Sequence, residues 1–154
     1  MRFFLCAAAI LLWALPVTAQ TKPTLGTERH PEYGRYVTDA NGRPVYVFVT
    51  DERGGDDITP IKSCKQRCQK DWPLVTVADD ITVSDDLDPF LAAVLKWDGL
   101  LVGVYNSNAL FYFANEDGDA TPDGHGIHTY GGWWYLIDPD GEPIVTGILP
   151  ETDG

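Results

Sequence analysis

Two stretches of the sequence carry residue types that could do chemistry. Cys64 and Cys68 stand four apart in SCKQRCQKDW, among Lys62, Lys65, Arg67 and Lys70. Basic neighbours favour the thiolate, and a thiolate pair completed by a distant histidine would suit copper or zinc. In an exported chain the same pair reads as a structural disulfide. The second stretch is EDGDATPDGHGIH, Glu116 to His128. Asp117, Asp119 and Asp123 follow the opening spacing of a calcium loop, but Pro122 stands where an EF-hand needs glycine and His128 where it needs glutamate. That leaves His125 and His128, with Asp123 or Asp119, as candidate zinc or copper ligands, against a solvated glycine loop whose histidines only bond backbone.

Other chemistries leave no trace. There is no Gly-x-Ser-x-Gly elbow, no phosphate-binding glycine loop and no Cys-x-x-Cys-His haem attachment. The one methionine is Met1, which excludes His/Met haem ligation and a blue-copper site with an axial methionine. The carboxylates are too many to single out a general acid-base pair. Catalysis is therefore not expected, and neither is a cofactor; copper or zinc is the alternative.

The 154-residue chain has a formal net charge of −12. Arg2, the apolar run Phe3 to Val17 and the small residues Val17-Thr18-Ala19 have the form of a cleavable secretory signal. Cys6 precedes most of that run, so it is not placed for lipid attachment. Losing Arg2 would take the charge to −13, and a chain this acidic repels nucleic acid and anionic membranes. The expectation is a soluble secreted or periplasmic protein with no stable membrane insertion after cleavage, and an envelope protein or small ligand as partner. Aspartate outnumbers glutamate 17 to 6 among the 23 acidic residues, which favours turns over helical surface.

The elements that would carry these residues are mostly hairpins. YVTDANGRPV (Tyr36 to Val45) aligns with YLIDPDGEPI (Tyr135 to Ile144), matching at Tyr36/Tyr135, Asp39/Asp138, Gly42/Gly141 and Pro44/Pro143. Asn-Gly and Asp-Gly are strong turn dipeptides, and the prolines belong at strand starts or edges. Asp98-Gly99 and Asn106-Ser107-Asn108 offer two more turns. Alternation places Tyr46 with Phe48, and Phe111 with Phe113, on single faces. IKSCKQRCQKDW has Ile61, Cys64, Cys68 and Trp72 at helical spacing before Pro73, and DPFLAA suggests a further turn of helix. Residues four apart on a regular helix have Cβ atoms about 5–6 Å apart, whereas a disulfide needs roughly 3.5–4.5 Å. If Cys64 and Cys68 are joined, the helix must bend, with Ser63 as a candidate cap.

PVYVFVTD and ALFYFANED then stand out as one phrase written twice. Tyr46, Phe48 and Asp51 make a full Tyr-x-(Phe/Trp/Tyr)-x-x-Asp motif; Phe111, Phe113 and Glu116 make a departing copy. With the paired cysteines before Trp72-Pro73, and a glycine-rich stretch before Trp133-Trp134, the chain from Tyr33 to Ile144 resembles a bacterial family of secreted repeat proteins, often described as lipoproteins, that carry this motif. The resemblance implies an envelope repeat protein and no particular reaction. Asp51 and Glu116 read as turn residues accepting bonds from loop amides.

The expected fold is mainly β: antiparallel sheet built from repeated hairpins, with one or two short helices. The expected organisation is a signal at 1–19, a flexible leader at 20–32 that includes His30, one β-rich domain at 33–148 with related halves at about 33–78 and 92–148, and a tail at 149–154. The expected function is a non-catalytic exported envelope module binding a protein or small ligand. The alternative is a metal-handling or redox accessory protein built on the Cys64/Cys68 pair.

Overall fold

The computed structural model describes residues 24–50, 59–118 and 121–145. The fold is mainly antiparallel β. Strands β1 (Leu25–His30) and β2 (Gly34–Asp39) pair with each other; β3 (Tyr46–Thr50), β8 (Gly132–Leu136) and β7 (Ile127–Thr129) form a second sheet in that order; β4 (Ala92–Trp97), β5 (Leu100–Tyr105) and β6 (Asn108–Ala109) form a third. Single bridges Tyr46–Phe111, Leu74–Phe111 and Thr76–Val102 stitch the second sheet to the third. Across the stitch, Leu136, Tyr46, Phe111 and Leu74 lie side by side. Among the described residues no helix is long and apolar enough to cross a membrane.

The two aligned turns make the same hydrogen bonds. Asp39 N–H donates to the Arg43 carbonyl and Gly42 N–H to the Asp39 carbonyl, at 2.8 and 3.1 Å; Asp138 to Glu142 and Gly141 to Asp138 repeat this at 2.9 and 3.0 Å. The aspartate side chain closes each turn by accepting from the amide of Arg43 (3.0 Å) or Glu142 (2.8 Å). Gly42 and Gly141 sit at φ of +82° and +85°, where a Cβ is strained. Asp98-Gly99 and Asn106-Ser107 turn two further hairpins, each with positive φ at both residues, as a two-residue turn between twisted strands requires.

Three expectations need correction. The segment expected as a flexible leader, 20–32, contains β1, which pairs with β2 along its whole length. Leu25 is fully buried and clamped to the loop after Asp79, donating to Thr82 and accepting from Ser84 at 2.9 Å each. A strand anchored by one apolar residue, with Thr27, Glu28 and Arg29 after it, has too weak a pattern to read. His30 accordingly ends a strand and stacks on Tyr33. The helix read over Ile61 to Trp72 is interrupted, giving two short helices, α1 (Thr59–Ser63) and α2 (Arg67–Asp71), with the bend expected of a joined Cys64/Cys68 pair at Gln66, φ +49°. Cys64 and Cys68 are joined as a disulfide with Cα atoms 5.1 Å apart, closer than a regular helix holds that pair. Ser63 ends α1 instead of capping a helix that starts at Cys64, and α2 has no side-chain cap. Ile61, Cys64, Cys68 and Trp72 are nevertheless all buried in one cluster.

Candidate functional site

At the centre of the molecule four rings stack in series. Phe48 lies on Trp134 (centroids 4.2 Å apart), Trp134 on Trp72 (4.0 Å, planes within 2°) and Trp72 on Phe113 (4.6 Å). The arrangement is near-symmetric: each motif phenylalanine, at the second aromatic position of its phrase, covers one tryptophan. Tyr46 and Phe111, at the first aromatic positions, face each other across a bridge with reciprocal backbone bonds of 2.8 and 2.9 Å. Phe111 also meets Trp134 edge-on. Tyr46, Phe48, Phe111 and the two tryptophans are at most 3% exposed, so this is core packing.

The polar atoms of the motif cross between copies. Tyr46 O–H donates to Glu116 Oε2 at 2.8 Å and accepts from Gly124 N–H at 3.2 Å. Glu116 Oε1 accepts from Asp123 N–H at 2.8 Å, and Asp123 Oδ2 from Asp117 N–H at 3.1 Å. The tyrosine of the first phrase is thus bound to the acid of the second, and the pair bolts the glycine loop onto the ring stack. Gly124 is needed there because a Cβ would come within 2.9 Å of both the Trp72 and Tyr46 rings. Burial, and then the nearby Glu116 charge, push the Tyr46 hydroxyl far up, so it stays a proton donor. Burial also raises Glu116, opposed by the bonds from Asp123 N–H and Tyr46. Asp51 and Asp119 lie outside the described residues.

The histidines are placed apart from the cysteines. His125 Nδ1 accepts from Leu136 N–H at 3.1 Å, so its neutral ring carries the proton on Nε2. That nitrogen is buried without a hydrogen-bond partner, in a ring lying 4.3 Å from Tyr33 and 5.9 Å from Tyr135. Burial lowers the His125 pKa; Glu32 raises it and His30 lowers it to a smaller degree. His128 is exposed and lies 4.7 Å from Trp133, whose ring in turn stacks toward Tyr135 at 6.1 Å. Asp123 points to the Asp117 amide. Among the described residues no three His, Cys, Asp or Glu side chains gather as a metal-holding group.

No protein-family model, curated protein or solved structure matches the chain.

Six rings therefore form a continuous path: His30, Tyr33, His125, Tyr135, Trp133 and His128. The sequence singles out Tyr135 as a repeat match and Trp133 as one of the closing tryptophan pair, neither as a neighbour of the histidines. Tyr33, Tyr135 and Trp133 come together from the β1–β2 turn and β8, about a hundred residues apart. At the far end the path opens to solvent. Val49 and His128 flank Trp133 on opposite neighbouring strands. Val49 is 39% exposed and Trp133 half-buried. Such a face presents apolar area beside an exposed imidazole ring.

Proposed function

We propose that the protein is a non-catalytic exported module of the cell envelope that binds a protein or small ligand through the Val49–Trp133–His128 face of β3, β8 and β7. The observation that carries this reading is the solvent-open end of the ring path, where a tryptophan, a valine and a histidine stand together on adjacent strands. Partly exposed tryptophan is the residue type that contributes most to binding surfaces. The part-buried Tyr46–Glu116 pair supports the non-catalytic part, because each group is engaged by its neighbours and bolts a loop. The disulfide fits an oxidising compartment and counts against metal handling by the cysteines, since neither sulfur is a thiolate while they are joined. The resemblance to the secreted repeat family points the same way.

The test compares the wild-type chain with Trp133→Ser/His128→Ala as bait for envelope extract of the exporting cell, with bound molecules identified by mass spectrometry. A ligand retained by wild type and lost from the folded variant is the expected result. Equal retention by both overturns the assignment of the face.

A further inference from the structure

Phe90 is 95% exposed, far beyond any other large apolar residue among those described. It is not loosely held. It is the middle residue of the 3-10 turn Pro89–Leu91; its N–H donates to Asp88 Oδ1 at 2.9 Å, Leu91 N–H to the Asp88 carbonyl at 3.1 Å, and Asp88 N–H to the Tyr105 hydroxyl at 3.1 Å. Asn106 N–H donates to the Leu91 carbonyl at 2.8 Å and fixes the far side. An aromatic knob presented on a fixed turn loses little freedom when it docks. Asp79, Asp80, Asp85, Asp86 and Asp88, all exposed, precede it in the sequence, with Asp86 paired to Arg35 at 2.9 Å.

The complementary surface is in the same chain. A groove of about 440 Å³ is lined by Ile61, Lys65, Gln69, Trp97 and Asp98; the half-buried Trp97 is its accessible apolar wall, Ile61 being almost wholly buried. Lys62, Lys65, Arg67, Lys70 and Lys96, all exposed, are five of the chain's 11 Lys and Arg residues, and they lie on the segments that form it. Net charge is −12, so two copies repel overall and the attraction for an acidic flank is confined to where these cations gather. Knob and groove stand at opposite ends of β4: Phe90 precedes Ala92, and Trp97 ends the strand. At about 3.3 Å per residue they are separated by roughly 20 Å, so Phe90 cannot fill its own groove.

We propose that Phe90 with its acidic flank docks into the Ile61–Trp97 groove of a second copy of this chain, associating copies head to tail along β4. In the head-to-tail arrangement each pair keeps one knob and one groove unused, so association continues beyond two copies, whereas an antiparallel two-fold pair would use both contacts at once and stop at a dimer, which would overturn the head-to-tail form. With a single aromatic anchor the contact is small and weak, with Kd on the order of 0.1–1 mM. It uses none of the residues of the Val49–Trp133–His128 face, so its failure would leave the recognition reading standing.

Sedimentation velocity of the oxidised protein from about 10 µM to about 1 mM brackets that range. The expected result is a weight-average mass that climbs steadily without stopping at a dimer. Phe90→Ser should remain monomeric, and so should Lys65→Glu with Gln69→Glu; all three positions are exposed, so circular dichroism should match wild type. The decisive arm mixes the two variants: one keeps only the groove, the other only the knob, and the mixture should form pairs and nothing larger. A wild type that stays monomeric, growth that survives Phe90→Ser, or a mixture without pairs overturns the proposal. So does flotation of the monomer with anionic phospholipid vesicles in a manner abolished by Lys65→Glu, which would give the groove to a membrane surface.

Discussion

Tyr46 and Phe111 occupy the same place in two phrases and differ by one oxygen. In Tyr46 that oxygen holds Glu116 and Gly124 together. Tyr46→Phe would leave the Gly124 amide buried without an acceptor and should destabilise the fold by about 1–3 kcal/mol in denaturant melts. It should also raise the Glu116 pKa further, because the tyrosine bond is one of the interactions now lowering it; a carboxyl NMR titration reads this directly. An unchanged Glu116 titration would dissociate the two residues. His125 gives a second prediction. Its folded pKa is depressed below the ordinary 6.5, so as pH falls the unfolded chain takes up the proton first. The stability that neutral His125 contributes should be complete above about pH 6.5 and decline as pH falls toward the folded pKa. Melts at stepped pH should show a shallower acid loss in His125→Gln than in wild type, and parallel curves would count against it. The sequence made Tyr46 and Glu116 candidates separately, but no local pattern links residues 70 apart.

At the scale of elements, the repeated turns invite the same substitution at both glycines, and the structure separates the outcomes. A side chain at Gly42 meets only Glu28 Oε1 at 3.6 Å, whereas a Cβ at Gly141 falls 2.2 Å from the Cβ of Asn106. Gly42→Ala should cost about 1 kcal/mol for its positive φ alone. Gly141→Ala adds overpacking of roughly 1–3 kcal/mol and disturbs Asn106, whose side chain donates to the Gly141 carbonyl at 3.1 Å. Equal melting shifts would refute this ordering. Both turns were legible because Asn-Gly and Asp-Gly act on their own neighbours. β1 was not, since one buried leucine makes no period. The helix over the cysteines was half legible: its buried face survives, but the cross-link broke the helical path that the spacing described.

For the molecule as a whole, the core is assembled from the two ends of the domain. β3 pairs with β8 between Thr50–Gly132 and Tyr46–Leu136, a sequence separation of 82 to 90 residues. Trp134 from β8 is the inner partner of both Phe48 and Trp72. A chain ending at Tyr130 should therefore show no cooperative unfolding transition, by circular dichroism on heating, even though it keeps every local hairpin before that point. A sharp transition in the truncated chain would mean that its first 130 residues hold a core of their own. Hydrophobic alternation made the strands legible, but it says which face is buried and not which strand lies alongside.

That late partner also has a meaning in time. Synthesis delivers the chain from its N-terminus at about 5–20 residues per second, so β3 emerges roughly 4–18 seconds before the strand that closes it. Until Trp134 emerges, Phe48 and Trp72 lack the ring that lies between them, so the stack cannot close. A chain kept in this state is a ready substrate for any machinery that threads unfolded polypeptide through a narrow pore.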